Sequence, residues 1–139
     1  FANTLGRSIE MEDTAVLNLE YENGAVGNLS STMLTYPKNI EGSITILGEN
    51  GTVKIGGIAL NKIETWEFKD HNEDDELLEE ANYEIKSVYG SGHLPFYKAI
   101  IDILNNGNNN TFSYHQGLLS LDVIMSAYES IKEKKLIYL

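Results

Sequence analysis

The chain has 139 residues, 42% of them hydrophobic, with no cysteine, two prolines and 21 acidic against 10 basic side chains, a formal charge of −11. That is enough chain to bury a core unaided, and the missing thiols exclude thiolate catalysis, iron–sulfur clusters and cysteine-zinc sites. The acidic balance opposes nucleic-acid binding, which needs clustered lysine and arginine, and no run approaches the roughly 20 apolar residues of a membrane span.

The first residue is Phe1, not Met, and it opens directly into strand-like sequence. The chain therefore reads as part of something longer, and without a secretory leader a cytoplasmic location is expected. Residues 13–21 set Ala15, Leu17, Leu19 and Tyr21 against Thr14, Val16, Asn18 and Glu20, the period-two signature of a half-buried strand. Glu22-Asn23-Gly24 follows, and Asn-Gly between strand-like runs predicts a hairpin with a primed turn, since both residues tolerate positive φ. Residues 25–34 return antiparallel. Gly27, Asn28, Ser30, Ser31 and Thr32 leave this strand short of bulk, which suits a surface against which another layer packs. Residues 40–48 alternate again, and Glu49-Asn50-Gly51 turns them into 52–55 as a second hairpin. After Gly56-Gly57 an apolar run at 58–60 leads into a long strand over 61–69. One proline and no helical period in the first 70 residues predict an antiparallel meander.

The second half changes character. The acid-rich stretch 71–82 reads as a solvated loop or a short exposed helix. Its cluster Glu73, Asp74, Asp75 and Glu76 lacks the alternating ligands and central glycine of a calcium loop, so it is read as a solvated acidic face. Residues 94–106 place Phe96, Ile100, Ile103 and Leu104 at helical spacing, with Pro95 in the first turn and Asn105-Asn106-Gly107 as the stop. A longer helix is expected over 115–134, with Leu118, Leu121, Met125, Tyr128 and Ile131 on one stripe. Lys132, Lys134 and Lys135 lie near its C-terminus, where the dipole favours cations. Residues 136–139 are expected to close the sheet as a short strand. Strands first and helices after predict an α+β fold: a mostly antiparallel open sheet with two main helices packed on one face, in a single domain over residues 1–139.

Most chemical signatures are missing. There is no Gly-x-Gly-x-x-Gly after a strand and no Walker loop, so this stretch alone offers no cradle for NAD. His71, His93 and His115 never fall at metal-ligand spacing, and no nucleophile elbow occurs, so no metal site and no hydrolase are expected. Two stretches remain. Thr35-Tyr36-Pro37-Lys38-Asn39-Ile40-Glu41-Gly42-Ser43 puts a cation, an aromatic plane and hydrogen-bonding side chains in one inter-strand connection. That set suits an anionic or polyhydroxyl ligand, with Lys38 as point charge and Tyr36 and Asn39 as directional partners. An ordinary connection with a solvated lysine is the plainer reading. Ser87-Val88-Tyr89-Gly90-Ser91-Gly92-His93 leads into a helix, either as a polar loop facing a ligand or with Ser91 or His93 as a helix cap.

These stretches, together with Glu12-Asp13-Thr14, Asn23-Gly24-Ala25-Val26-Gly27 and Gly48 with Gly51-Thr52-Val53, resemble the C-terminal domain of Gfo/Idh/MocA oxidoreductases. The Tyr36–Ser43 run is similar to the branch that acts at the 3-position of UDP-N-acetylglucosamine or its uronic acid. The resemblance covers nearly the whole chain. It implies a full-length enzyme with an N-terminal Rossmann domain that binds NAD or NADP and is absent here, and a C-terminal sheet whose open face builds a dimer or tetramer. In the family, a Rossmann-domain lysine and an upstream aspartate and histidine carry the chemistry. The resemblance thus implies no catalytic residue in this stretch, which is expected to be inactive alone and to bind no cofactor or metal. Tyr36, Lys38, Asn39, Tyr89 and His93 are the implied substrate-binding residues for a nucleotide sugar. A non-catalytic assembly module and a dehydrogenase of a free sugar or inositol are the alternatives.

Overall fold

A computed structural model of the chain describes residues 1–70, 75, 76, 78–85, 89–107 and 114–139. The element order is β1 (Ala2–Asn3), β2 (Thr14–Glu20), β3 (Val26–Thr32), β4 (Ile44–Leu47), β5 (Gly51–Gly56), β6 (Lys62–Phe68), α1 (Leu78–Ala81), α2 (His93–Asn106) and α3 (Tyr114–Glu133). The α+β class holds, with open antiparallel strands followed by two main helices. The described strands fall in two sheets of three, ordered β1-β2-β3 and β4-β5-β6, instead of one meander. The connection between β3 and β4 contains Pro37, which lacks the amide a ladder requires. The chain divides into two compact units, 1–35 with 109–139 and 36–108.

In the first unit β2 and β3 pair from Thr14↔Thr32 to Glu20↔Val26. The less exposed side of β2 is Ala15, Leu17 and Leu19, as the alternation requires. The hairpin forms, but its loop has three residues: the Tyr21 amide donates to the Ala25 carbonyl at 2.9 Å and the Gly24 amide to the Tyr21 carbonyl at 2.8 Å. Only Gly24 (φ 84°) takes a positive φ in this loop, while Asn23 Oδ1 accepts the Ala25 amide at 3.0 Å. The primed two-residue turn is thus replaced by a longer loop in which asparagine acts through its side chain. Two of the small polar residues of β3 have side-chain partners across the strand. Thr14 and Thr32 hydroxyls lie 2.9 Å apart and Asn28 Nδ2 donates to Asn18 Oδ1 at 2.8 Å, a polar ladder on one face.

α3 belongs to the same unit, and Tyr128 on its stripe donates a hydrogen bond to the Glu12 carboxylate. The helix stops at Lys134 (φ 54°), and the Ser130 hydroxyl donates to the Lys135 carbonyl at 2.7 Å. Residues 136–139, expected as a closing strand, are not one: the chain turns at Lys134 and runs on without regular structure.

In the second unit β5 is the central strand, paired with β4 from Ile44↔Ile55 to Leu47↔Thr52 and with β6 from Gly51↔Phe68 to Gly56↔Lys62. The Glu49-Asn50 hairpin forms, closed by the Gly48 amide donating to the Gly51 carbonyl at 2.8 Å. Residues 58–60, read from sequence as an apolar run leading into a strand, form a turn with Gly57 instead. The cause is Asn61, 3% exposed, whose Oδ1 accepts the Ala59 amide at 3.3 Å and whose Nδ2 donates to the Tyr83 carbonyl at 2.8 Å. α1 lies beside β6, where Asn82 Oδ1 accepts the Ile63 amide at 2.7 Å. α2 is capped as expected at its C-terminus, the left-handed Gly107 donating its amide to the Ile103 carbonyl at 2.8 Å. Its N-cap falls on Gly92, which has no side chain, so neither Ser91 nor His93 takes the cap position.

No hydrophobic side chain among the described residues is fully buried. None of the described helices is long and apolar enough to cross a membrane.

Candidate functional site

All five residues singled out from the sequence lie in the second unit. Tyr36, Lys38 and Asn39 stand on the exposed connection ahead of β4, with Tyr36 92% exposed, and its bond to Pro37 is cis. Tyr89 and His93 come together: their rings meet edge to face with centroids 6.4 Å apart, Tyr89 on the approach to α2 and His93 in its first turn. Ser87 and Val88 of that stretch lie outside the described residues.

One turn lies against both segments. The Gly42 amide, at the end of the first loop, donates to the Gly57 carbonyl at 2.8 Å. On the second, a Cβ built on Gly90 would lie 3.5 Å from the Ala59 Cβ and 3.6 Å from Tyr83 Oη. The Tyr83 amide in turn donates to the Asn61 carbonyl at 3.2 Å. The 57–60 turn and the buried Asn61 amide are therefore the common seat of the loop carrying Lys38 and the loop carrying Tyr89. Neither was marked by the sequence, because a lone asparagine after a Gly-Gly pair looks like any turn residue until Tyr83 is brought beside it.

The first loop has a second fastening. Lys54 on β5 stands 2.6 Å from Glu64 Oε2 and 3.6 Å from Glu41 Oε1. A hydrogen bond from Ser43 and the Lys54 charge hold the Glu41 carboxyl below its ordinary range, while the Glu64 and Glu41 carboxylates hold Lys54 above its own. Glu41 and Ser43 of the Tyr36–Ser43 run thus secure the loop, while Tyr36, Lys38 and Asn39 are exposed. An open cleft elsewhere on this unit, between the β4–β5 turn and the end of β6, includes Asn50, Thr52 and Phe68 in its lining and none of the five residues.

The remaining sequence expectations fare differently. Among the described residues no group of three histidine or carboxylate side chains stands where it could hold a metal ion. Of the acidic cluster, Glu73 and Asp74 lie outside the described residues, as does His71. Asp75 accepts a hydrogen bond from Trp66 Nε1 at 2.7 Å, which ties it to β6. The described strands are all antiparallel and α2 follows a loop, so no strand-to-helix glycine turn of the dinucleotide-binding kind is formed by them.

The order of elements, open antiparallel strands followed by two main helices, is that of an α+β domain. Comparison with known proteins supplies the family. The profile of the family described as "Oxidoreductase family, C-terminal alpha/beta domain" matches residues 2–139, and the chain belongs to this family, Gfo/Idh/MocA. The solved WlbA dehydrogenase from Bordetella pertussis, in complex with NADH and UDP-GlcNAcA, is 44% identical over 100% of this chain with a TM-score of 0.90. The WlbA dehydrogenase from Chromobacterium violaceum, also with NADH and UDP-GlcNAcA, is 38% identical over 99% of the chain with a TM-score of 0.84. The chain spans only 41% and 39% of those two proteins. No curated protein sequence matches it.

Proposed function

We propose that this chain forms the substrate-binding and oligomerisation domain of an NAD(P)-dependent dehydrogenase that oxidises a nucleotide sugar of the UDP-N-acetylglucosamine type at its 3-position. What supports this above all is the 44% identity, across the full chain, with a dehydrogenase whose structure holds NADH and UDP-GlcNAcA. The nicotinamide, held by the rest of the full-length enzyme, supplies the hydride acceptor. The residues of this chain bind and orient. Lys38 neutralises diphosphate charge, the exposed Tyr36 ring offers a stacking plane, and Asn39, Tyr89 and His93 supply directional hydrogen bonds. Holding the sugar in one pose is itself catalytic, because positioning is worth several kcal/mol of barrier. With no base of the family's type in this stretch, the isolated chain is inactive; substrate oxidation by it would contradict the proposal.

Lys38→Ala in the full-length enzyme is expected to raise KM for the sugar nucleotide about ten-fold, the size of a lost charge-assisted contact, with KM for NAD unchanged. Unchanged values for both would remove Lys38 from the site. A diphosphate contact has no purpose in an enzyme of free sugars or inositol. Equal turnover of the free sugar and its UDP derivative would therefore move the protein to that branch.

A further inference from the structure

The loop carrying Tyr36, Lys38 and Asn39 is braced by a device that depends on a defect in the sheet. On central β5, Lys54 faces Thr45 of β4 and Thr65 of β6. In an unbroken ladder Glu64, next to Thr65, would point to the opposite face. The register shifts between Lys54 and Ile55, with Lys54 opposite Thr65 and Ile55 opposite Ile63, so Glu64 is the extra residue of a β-bulge. Bulges re-aim a side chain, and this one brings the Glu64 carboxylate to 2.6 Å from the Lys54 ammonium. Gly56 makes the room. A Cβ there would fall 2.5 Å from Glu64 Cδ and overlap its nearer oxygen, so any larger residue displaces the carboxylate. The other side of Lys54 reaches Glu41 at 3.6 Å, one residue before the Gly42 amide that is bound to Gly57.

We infer that Lys54, braced by the bulged Glu64, is a positioning residue for the nucleotide-sugar loop: through Glu41 it sets where Tyr36, Lys38 and Asn39 stand when substrate arrives. This rests on the reading of that loop as the nucleotide-sugar site. Lys54 touches no substrate. It restricts a loop whose residues do, so its loss weakens ground-state capture and leaves the chemical step alone.

The test uses the full-length enzyme with UDP-GlcNAcA and NAD, comparing Lys54→Met, Lys54→Arg and Gly56→Ala with Lys38→Ala. Lys54→Met is expected to raise KM for UDP-GlcNAcA about three- to five-fold, the size of a partly exposed ion pair, with kcat and KM for NAD unchanged. Lys54→Arg restores most of the loss. Gly56→Ala, which shifts Glu64 without altering a charge, reproduces part of it. Hydrogen exchange at residues 38–42 quickens in Lys54→Met and stays unchanged in β2 and β3. An unchanged KM in Lys54→Met beside a raised KM in Lys38→Ala overturns the positioning role and leaves the loop reading intact. An unchanged KM in Lys38→Ala overturns the loop reading itself. A joint fall in kcat and rise in both KM values, with faster exchange throughout β4 to β6, makes Lys54 a general stability residue and overturns the inference. Should Lys54→Met fail to fold, the KM split in Gly56→Ala decides.

Discussion

Asp13 is 3% exposed and receives four neighbours: the Leu5 amide at 3.0 Å, the Gly6 and Arg7 amides at 2.8 Å each, and the Thr14 hydroxyl at 3.0 Å. The Leu5 bond leads in stabilising the anion, joined by Gly6, Arg7 and Thr14 against the opposing effect of burial, and the carboxyl falls from 3.8 to about 2. A carboxyl held below its unfolded value adds stability above pH ~4, and that contribution disappears as pH falls toward about 2. Asp13→Asn is expected to lower the melting temperature at neutral pH and to make the profile between pH ~4 and ~2 shallower than that of the wild type. Thermal unfolding across that range checks it, and parallel profiles would show that Asp13 carries no acid sensitivity. The Glu12-Asp13-Thr14 run is thereby explained at its second and third residues without recourse to catalysis: Asp13 fills an amide nest and Thr14 bonds both Asp13 and Thr32. Glu12 meets Tyr128, 116 residues away, a contact no local pattern announces.

Elements closed by neighbouring residues were readable in the sequence. The two hairpins rest on Asn23-Gly24 and Glu49-Asn50, and the end of α2 on Gly107, because each stop is built from amides and carbonyls within four residues of one another. What escaped reading depends on a partner far along the chain. The bulge at Glu64 exists only once β5 fixes the register, and the 57–60 turn only once Tyr83 meets Asn61. Gly51 is a further case. It opens β5 opposite Phe68, and a Cβ there would lie 2.7 Å from the Glu67 carbonyl and inside the Phe68 ring. Gly51→Ala is expected to cost about 1–3 kcal/mol by overpacking, measured as a lower denaturant midpoint. A midpoint equal to that of the wild type would mean that Phe68 swings away freely.

At the scale of the molecule, no hydrophobic side chain among the described residues is fully buried and β3 is mostly exposed, the kind of surface the proposed oligomerisation would cover. Val26 is 82% exposed on β3, an edge strand whose polar ladder leaves little bulk to obstruct a second copy. Within the proposal above, the full-length enzyme is a dimer or tetramer, and Val26→Glu shifts it toward the monomer, as read by light scattering. An unchanged mass would take β3 out of the subunit contact. That cation, aromatic and amide types crowd the two short segments holding Tyr36, Lys38, Asn39, Tyr89 and His93 was legible. Their common seat was not, since Gly42, Gly57, Ala59 and Gly90 are small residues whose importance lies in what approaches them.

The order of the amino acids by itself determined most of the strands, the two main helices and the family, because periodicity and turn chemistry are properties of neighbours in the chain. Only the tertiary structure decided that the strands divide into two sheets, that Glu64 turns to Lys54, and that one buried asparagine supports both loops. Those outcomes depend on register and on contacts between distant segments, where a displacement of one residue reverses which side chains meet.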